Sequence, residues 1–265
     1  MVTYSNLGGY GRLGNQMFQI ASTIGVAKDN GLDYGFDSWV CKYTFKDFNN
    51  FIESPLKKLN PDVNKTTLSR TEEEYFYKKT ILDPSYNHIL NGYYQSEKYF
   101  ENYKDYIRNI FKLKPEYNKY IMDNYSDILE NSCSIHIRRG DYLGLQDHHT
   151  LINLDYYNES LKLLYGNDLE NINLLIFSDD ILWCKQNLNF EKANIHYIEN
   201  NIDIIDMFLM SMCENNIIAN SSFSWWGAWL NKSPNKKVIA PKKWFGPKNS
   251  HLSTHTLYCK EWITI

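Results

Sequence analysis

The stretch SCSIHIRRGDY, residues 132–142, decides the fold. CSIHIRR reads as a strand that runs straight into two arginines, a glycine and an acid. The pattern then repeats. LDYYNESLKLLYG (154–166) reads as a helix, INLLIFSDD (172–180) as a strand and ILWCKQNL (181–188) as a helix. ANIHYIE (193–199) predicts a strand and DIIDMFLMSMC (203–213) a helix. NNIIAN (215–220), SSFSWWGAWLN (221–231) and KVIAP (237–241) predict strand, helix and a final strand. Short apolar strands alternating with helices of about 8–13 residues imply βαβ units and a parallel sheet.

Toward the N-terminus the same grammar begins the chain. VTYSNLG (2–8) predicts a strand, and 13–30 a helix with an apolar stripe of Met17, Phe18, Ala21 and Ile24, stopped by Gly31. LDYGFD (32–37) predicts a short second strand. Residues 38–90 show no clear period, 93–111 read as helical, and Pro115 precedes another helix over 116–130. The expected architecture is α/β, with two Rossmann-like domains facing across a ligand cleft. Their expected extents are 1–125 and 126–265.

Composition bounds the function. The 265 residues are 43% hydrophobic and 22% charged, with a net charge of -3, so the chain buries a core and offers no basic surface for nucleic acid. The five cysteines form no C-x-x-C pair, which favours neither a disulfide framework nor zinc and suggests a reduced, cytoplasmic protein. No signal peptide and no apolar run of spanning length is evident.

Four stretches carry chemistry. GGYGRLGNQMFQ (8–19) has Gly9, Gly11 and Gly14 at the G-x-G-x-x-G spacing, and Asp37 follows about twenty residues on, as in a dinucleotide site. However, Arg12 and Asn15 look like side chains placed to touch a ligand. The alternative is a tight turn with a solvated arginine. In HIRRGDY, strand alternation puts His136 and Arg138 on one side and Arg139 on the other, unless the strand has already ended. Guanidinium forks suit a diphosphate. The competing reading is a salt bridge to Asp141 beside a turn. In FSDD, one of Asp179 and Asp180 is expected to cap the next helix and the other to meet ligand or arginine; a metal role lacks a third ligand. Asn220, Ser221 and Ser222 sit where a strand meets a helix, whose N-terminus attracts anions. Phe223 is a candidate ring against a base or sugar. Trp225 and Trp229, four apart, are expected in the core.

GRLGNQMFQIA, HIRRGDY, FSDD and NSSFSWWGAWL occur in an order that resembles the α-1,2-fucosyltransferase family, over nearly the whole chain. The resemblance implies a GT-B fold, GDP-fucose as donor, and donor binding mainly by the C-terminal domain. It implies that His136, Arg138 and Arg139 bind the diphosphate and ribose, with Ser221, Ser222 and Phe223 beside them. Asp179 or Asp180 would lie near the nucleoside, and Gly11, Arg12, Gly14 and Asn15 near fucose and the leaving phosphate. Arg138, Arg12 and Asn15 are the expected catalytic set, and Asp141 and Asp37 the candidate bases. The implied reaction is inverting, metal-independent and cofactor-free transfer to a galactose-terminated glycan, with peripheral membrane association compatible. The competing readings are an NAD(P)-dependent oxidoreductase using the Gly9–Gly14 turn, a non-catalytic sugar-binding protein, and a transferase with another GDP-sugar.

Overall fold

A computed structural model describes residues 1–265. The chain forms two compact units, Met1–Tyr117 with Ser253–Cys259, and Asn118–Leu252 with Lys260–Ile265.

The first unit starts with β1 (Val2–Tyr4) and α1 (Leu13–Asp29), then β2 (Val40–Cys41) and β3 (Lys46–Asp47), a small antiparallel pair. β4 (Thr67–Thr71) and β5 (Asn87–Asn91) follow, and α2 (Lys104–Ile110) comes next. The main sheet is parallel, in the order β1-β5-β4. Fourteen residues of α1 are buried, including Gln16, Gln19, Ser22 and Thr23. So α1 is an interior helix rather than a half-exposed one.

Helix α3 (Pro115–Tyr125) leads into the second unit. There β6 (Ser132–Ile137), α4 (Leu154–Tyr165), β7 (Asn173–Ser178), α5 (Ile181–Asn187) and β8 (Asn194–Tyr197) alternate. They continue as α6 (Asp203–Met212), β9 (Asn215–Ile217), α7 (Ser222–Leu230), β10 (Val238–Ala240) and β11 (Ile263–Thr264). The six strands are parallel, in the order β11-β10-β9-β6-β7-β8. The chain begins mid-sheet at β6, fills one side, then returns to fill the other. That is the Rossmann strand order, and it creates a switch point between β6 and β9. All six residues of β6 are buried, as a strand covered on both faces requires. Ile135, Ile176, Ile217 and Ile239, one from each of four neighbouring strands, form the core with Tyr157 and Leu161 of α4. Trp225, Trp226 and Trp229 are also buried, and Trp225 packs on Trp262 at 5.3 Å between ring centroids.

Several expectations need correction. The second strand expected at 32–37 is not one: Tyr34 and Phe36 make single bridges to Val2 and Lys58. The backbone bonds to Val2 around Tyr34 and to residues 57–59 around Phe36, so the pairing switches partner after one bridge and no ladder propagates. β5, from the stretch without a clear period, pairs along the opposite edge of β1. Residues 93–111 are not one helix. Tyr94 has φ 51°, two 3-10 turns follow, and only Lys104–Ile110 is α-helical. The first strand stops at Tyr4, the helix after Pro115 at Tyr125, and β11 lies beyond the strand expected to be last. No helix is long and apolar enough to cross a membrane.

Candidate active site

The switch point of the larger sheet gathers three of the four stretches. In open parallel sheets ligands bind beyond the strand carboxyl ends at that point. β6 delivers Arg138 and Arg139 there, β7 delivers Asp179 and Asp180, and β9 delivers Asn220 and the start of α7. β6 ends at Ile137, so strand alternation does not separate the arginines. Both side chains are 15% exposed and both are ion-paired. Arg138 Nη1 donates to Asp179 Oδ2 at 2.6 Å, and Arg138 also bonds Asp141. Arg139 Nε donates to Asp180 Oδ2 at 3.1 Å, and its guanidinium lies 3.7 Å from the centre of the Trp183 ring.

One acid caps the helix as expected, but both meet an arginine. Asp180 caps α5, accepting the Trp183 N–H at 3.3 Å. Asp179 accepts the Arg139 backbone N–H at 2.9 Å as well as Arg138. Gly140 is required by this contact, because a Cβ there would stand 2.3 Å from Asp179 Oδ2.

His136 is buried, with Nδ1 2.8 Å from Ser224 Oγ and its ring 5.6 Å from that of Phe223. Burial, with the Arg138 charge adding to it, lowers its pKa to about 3, so its imidazole is neutral at ordinary pH. It fastens β6 to α7 through Ser224. Ser221 is the N-cap of α7, accepting the Phe223 N–H at 3.3 Å. Ser222, the first helical residue, and Phe223 are half-buried beside it. Asn220 is buried, and its amide donates to Thr150 O and Trp244 O, each at 2.8 Å. Its side chain therefore holds the turn that presents the serines.

Tyr142 and His149 were not anticipated. Their rings stack at 4.3 Å and 7°, the Arg138 guanidinium lies 5.2 Å from the Tyr142 ring centre, and Tyr142 Oη donates to Asn220 O at 3.0 Å. This stack joins the arginine turn to the serine turn. No helix or strand period marks it, because both rings lie in the irregular connection between β6 and α4.

The glycine loop lies in the first unit, at the carboxyl edge of the smaller sheet. Arg12 is the exposed N-cap of α1, and Gly14, Asn15 and Gln16 fall in its first turn. Gly11 has φ 80°, and a Cβ there would meet Asn15 Nδ2 at 2.2 Å. Gln16 Nε2 donates to Gly11 O at 2.9 Å, and Gln19 Nε2 to Tyr10 O at 2.8 Å. Trp39 Nε1 donates to Gln16 Oε1 at 3.0 Å. The loop is thus bound to the interior helix by two buried amides. Two glutamines three apart within the apolar stripe of α1 are the signal for this, since a buried amide needs partners. Asn15 Oδ1 accepts from Gln95 Nε2 at 2.7 Å. Asp37 is exposed in a loop and lies off any strand. It therefore does not take the strand-end position of a ribose-binding acid.

Residues 6–265 match glycosyl transferase family 11. The O-antigen biosynthesis glycosyltransferase WbnK of Escherichia coli is 34% identical over 66% of this chain, which spans 61% of that protein. An α-1,2-colitosyltransferase of Escherichia coli is 32% identical, over 96% of each. Among solved structures, NodZ α-1,6-fucosyltransferase soaked with GDP-fucose has a similar fold. Its TM-score is 0.55 at 16% identity, over 86% of this chain and 91% of that one. These similarities give the dinucleotide alternative no support. With its motifs gathered at a Rossmann switch point and the match running from residue 6 to the last, the chain belongs to glycosyl transferase family 11.

Proposed function

We propose that the protein transfers L-fucose, with inversion, from GDP-β-L-fucose to O2 of a terminal β-galactoside on a glycan. The observation that carries this reading is the meeting of Arg138, Arg139 and the serine-capped start of α7 at the switch point. The similarity to an α-1,2 transferase across nearly the whole chain supports the linkage. The fold shared with a fucosyltransferase supports a GDP-sugar donor.

The chemical demand falls on the leaving group. As the C1–O bond to the β-phosphate breaks, negative charge grows on that phosphate and the sugar becomes oxocarbenium-like. Arg138 is held at the strand end by Asp179, where its remaining donors can meet the diphosphate. A diphosphate displaces Asp141, the more exposed of its two carboxylate partners at 42% against 25%. Arg139 is braced by Asp180 and Trp183 toward the nucleoside end. The N–H groups at the start of α7, with Ser221 and Ser222, complete the anion cradle. Two guanidiniums supply the charge that a metal supplies elsewhere, so the reaction is expected to proceed without one and without a cofactor. Arg12 and Asn15 act on the fucose and acceptor side. The acceptor hydroxyl attacks C1, and its proton passes to a carboxylate, with Asp141 and Asp37 as the candidates. In this reading the second unit is the donor end and the first the acceptor end of a GT-B enzyme. It works in the reduced cytoplasm, peripheral to a membrane where its acceptor is lipid-linked.

A second reading changes only the sugar, because the relative matched over 96% of its length is named for colitosyl transfer. The deciding experiment offers GDP-fucose and a GDP-colitose donor separately, with lactose, in EDTA. GDP release is followed and the product linkage is read by NMR. Fucosyl transfer in EDTA supports the first reading. Transfer from the colitosyl donor alone moves the assignment to the second. A folded protein that binds no GDP and turns over neither donor refutes both.

A further inference from the structure

The segment after β5 is built in an unusual way. Gly92 has φ 143° and Tyr94 φ 51°, so the chain turns sharply on both sides of Tyr93. For a tyrosine a left-handed backbone is strained, and such strain persists only where the surroundings hold it. The surroundings here do. Glu72 Oε2 accepts the N–H of Tyr93 at 2.7 Å and of Tyr94 at 2.9 Å. Tyr94 Oη donates to Arg70 O at 3.0 Å, and Ser22 Oγ to Tyr94 O at 2.9 Å. The result is that the Tyr93 ring is turned outward, while the next-but-one residue, Gln95, reaches Asn15.

The outward ring meets Tyr10 of the glycine loop, with centroids 4.8 Å apart and planes at 38°. Each residue keeps 37% of its surface exposed. Tyr75 stands edge-on to Tyr93 at 6.2 Å. Two adjoining, partly exposed rings that also carry phenol hydroxyls match a pyranose, which has an apolar C–H face and a rim of hydroxyls. The pair is too small to be the centre of a stable protein interface. It is also continuous with the loop that carries Arg12 and Asn15.

We propose that the Tyr10–Tyr93 ring pair is the docking platform for a sugar ring of the acceptor glycan, with Glu72 as the residue that positions it. This rests on the glycosyl-transfer reading above. The platform sets acceptor affinity and selectivity and leaves the donor untouched.

The test uses the full chain with lactose as the acceptor probe. Saturation-transfer NMR of the GDP-loaded protein is expected to show transfer to lactose that Tyr93→Ala abolishes and Tyr93→Phe retains. In steady-state assays Tyr93→Ala is expected to raise the lactose KM by about tenfold or more, a loss of about 1.4 kcal/mol. The KM for GDP-fucose and the slow hydrolysis without acceptor should stay within about twofold. Glu72→Ala is expected to raise the lactose KM in the same way, and Tyr93→Ala/Glu72→Ala to be no worse than Tyr93→Ala alone, since the two act as one unit. An additive double variant, or a rise in donor KM instead, overturns the assignment. Hydrolysis of GDP-fucose by a wild-type protein that shows no saturation transfer to lactose overturns the platform and leaves the donor reading standing. Absence of GDP binding and of hydrolysis overturns the transfer reading, and this proposal with it.

Discussion

Glu72 gives the structure a sharp energetic test. Its carboxyl is largely buried, and desolvation raises its pKa from 4.5 to about 7 although the Tyr93 and Tyr94 N–H groups oppose the shift. At about 1.4 kcal/mol per factor of ten, ionising Glu72 costs the folded protein about 3 kcal/mol more than the unfolded chain. The sign follows from proton binding. Between pH 4.5 and 7 the folded state holds the proton that the unfolded state has lost, so stability falls as pH rises through that window and levels off above it. His136 works in the opposite direction, because its folded pKa is depressed: its contribution is lost as pH falls below its unfolded value of 6.5 toward 3. A difference between two proteins that both keep His136 removes that effect. Glu72→Gln retains a carbonyl to accept the two N–H bonds and cannot ionise. The variant is therefore expected to gain on the wild type by about 2–3 kcal/mol between pH 5 and pH 8. Urea unfolding of both proteins at unit pH steps measures this directly. A difference that stays flat across the range refutes the reasoning. It would mean that Arg70, Lys78 and Lys79, which line the same cavity of about 420 Å³, hold the carboxylate ionised at its ordinary pKa.

Four further outcomes are expected. Arg138→Lys keeps the charge but loses the fork, and kcat/KM for GDP-fucose should fall about 100- to 1000-fold, on the scale of one lost oxyanion donor; unchanged turnover removes Arg138 from the phosphate site. Gly11→Ala forces a side chain onto a left-handed backbone and into Asn15, so transfer should collapse while donor binding, read by calorimetry with GDP, persists. Asn220→Ala leaves Thr150 O and Trp244 O without their donor, and urea unfolding should show a loss of about 2–3 kcal/mol. His136→Gln should make the protein less sensitive to acid, seen as a smaller loss of melting temperature from pH 6.5 to 4, since no buried imidazole then has to gain a proton.

The second unit was legible because its signals are local. An apolar run such as IHI or LLIF announces a buried strand whatever its partners, and each was followed by a helix whose cap stands in the sequence. The arginines, acids and serines were legible as strand-end residues for the same reason. The core tryptophans followed from their spacing, since Trp225 and Trp229 share one helix face. In the first unit the signals fail. β5 (NHILN) carries few apolar residues and owes its place to pairing with Val2–Tyr4, more than eighty residues away. The segment after it looks helical because propensity is local, whereas its conformation is imposed by the Glu72 carboxylate, which lies some twenty residues earlier in the chain.

By itself the sequence determined the class of the fold, the family resemblance and the residues that carry charge. Those depend on hydrophobic period, on helix caps and on motif spacing, all of which are written along the chain. Only the tertiary structure decided which residues meet. The strand order brings β6 against β9 and so sets Arg138 beside the serine turn; a carboxylate pairs each arginine; two buried glutamines bind the glycine loop to α1. The physical reason is that each such contact joins groups far apart in sequence, and their energy depends on burial and partner geometry that exist only once the sheets have closed.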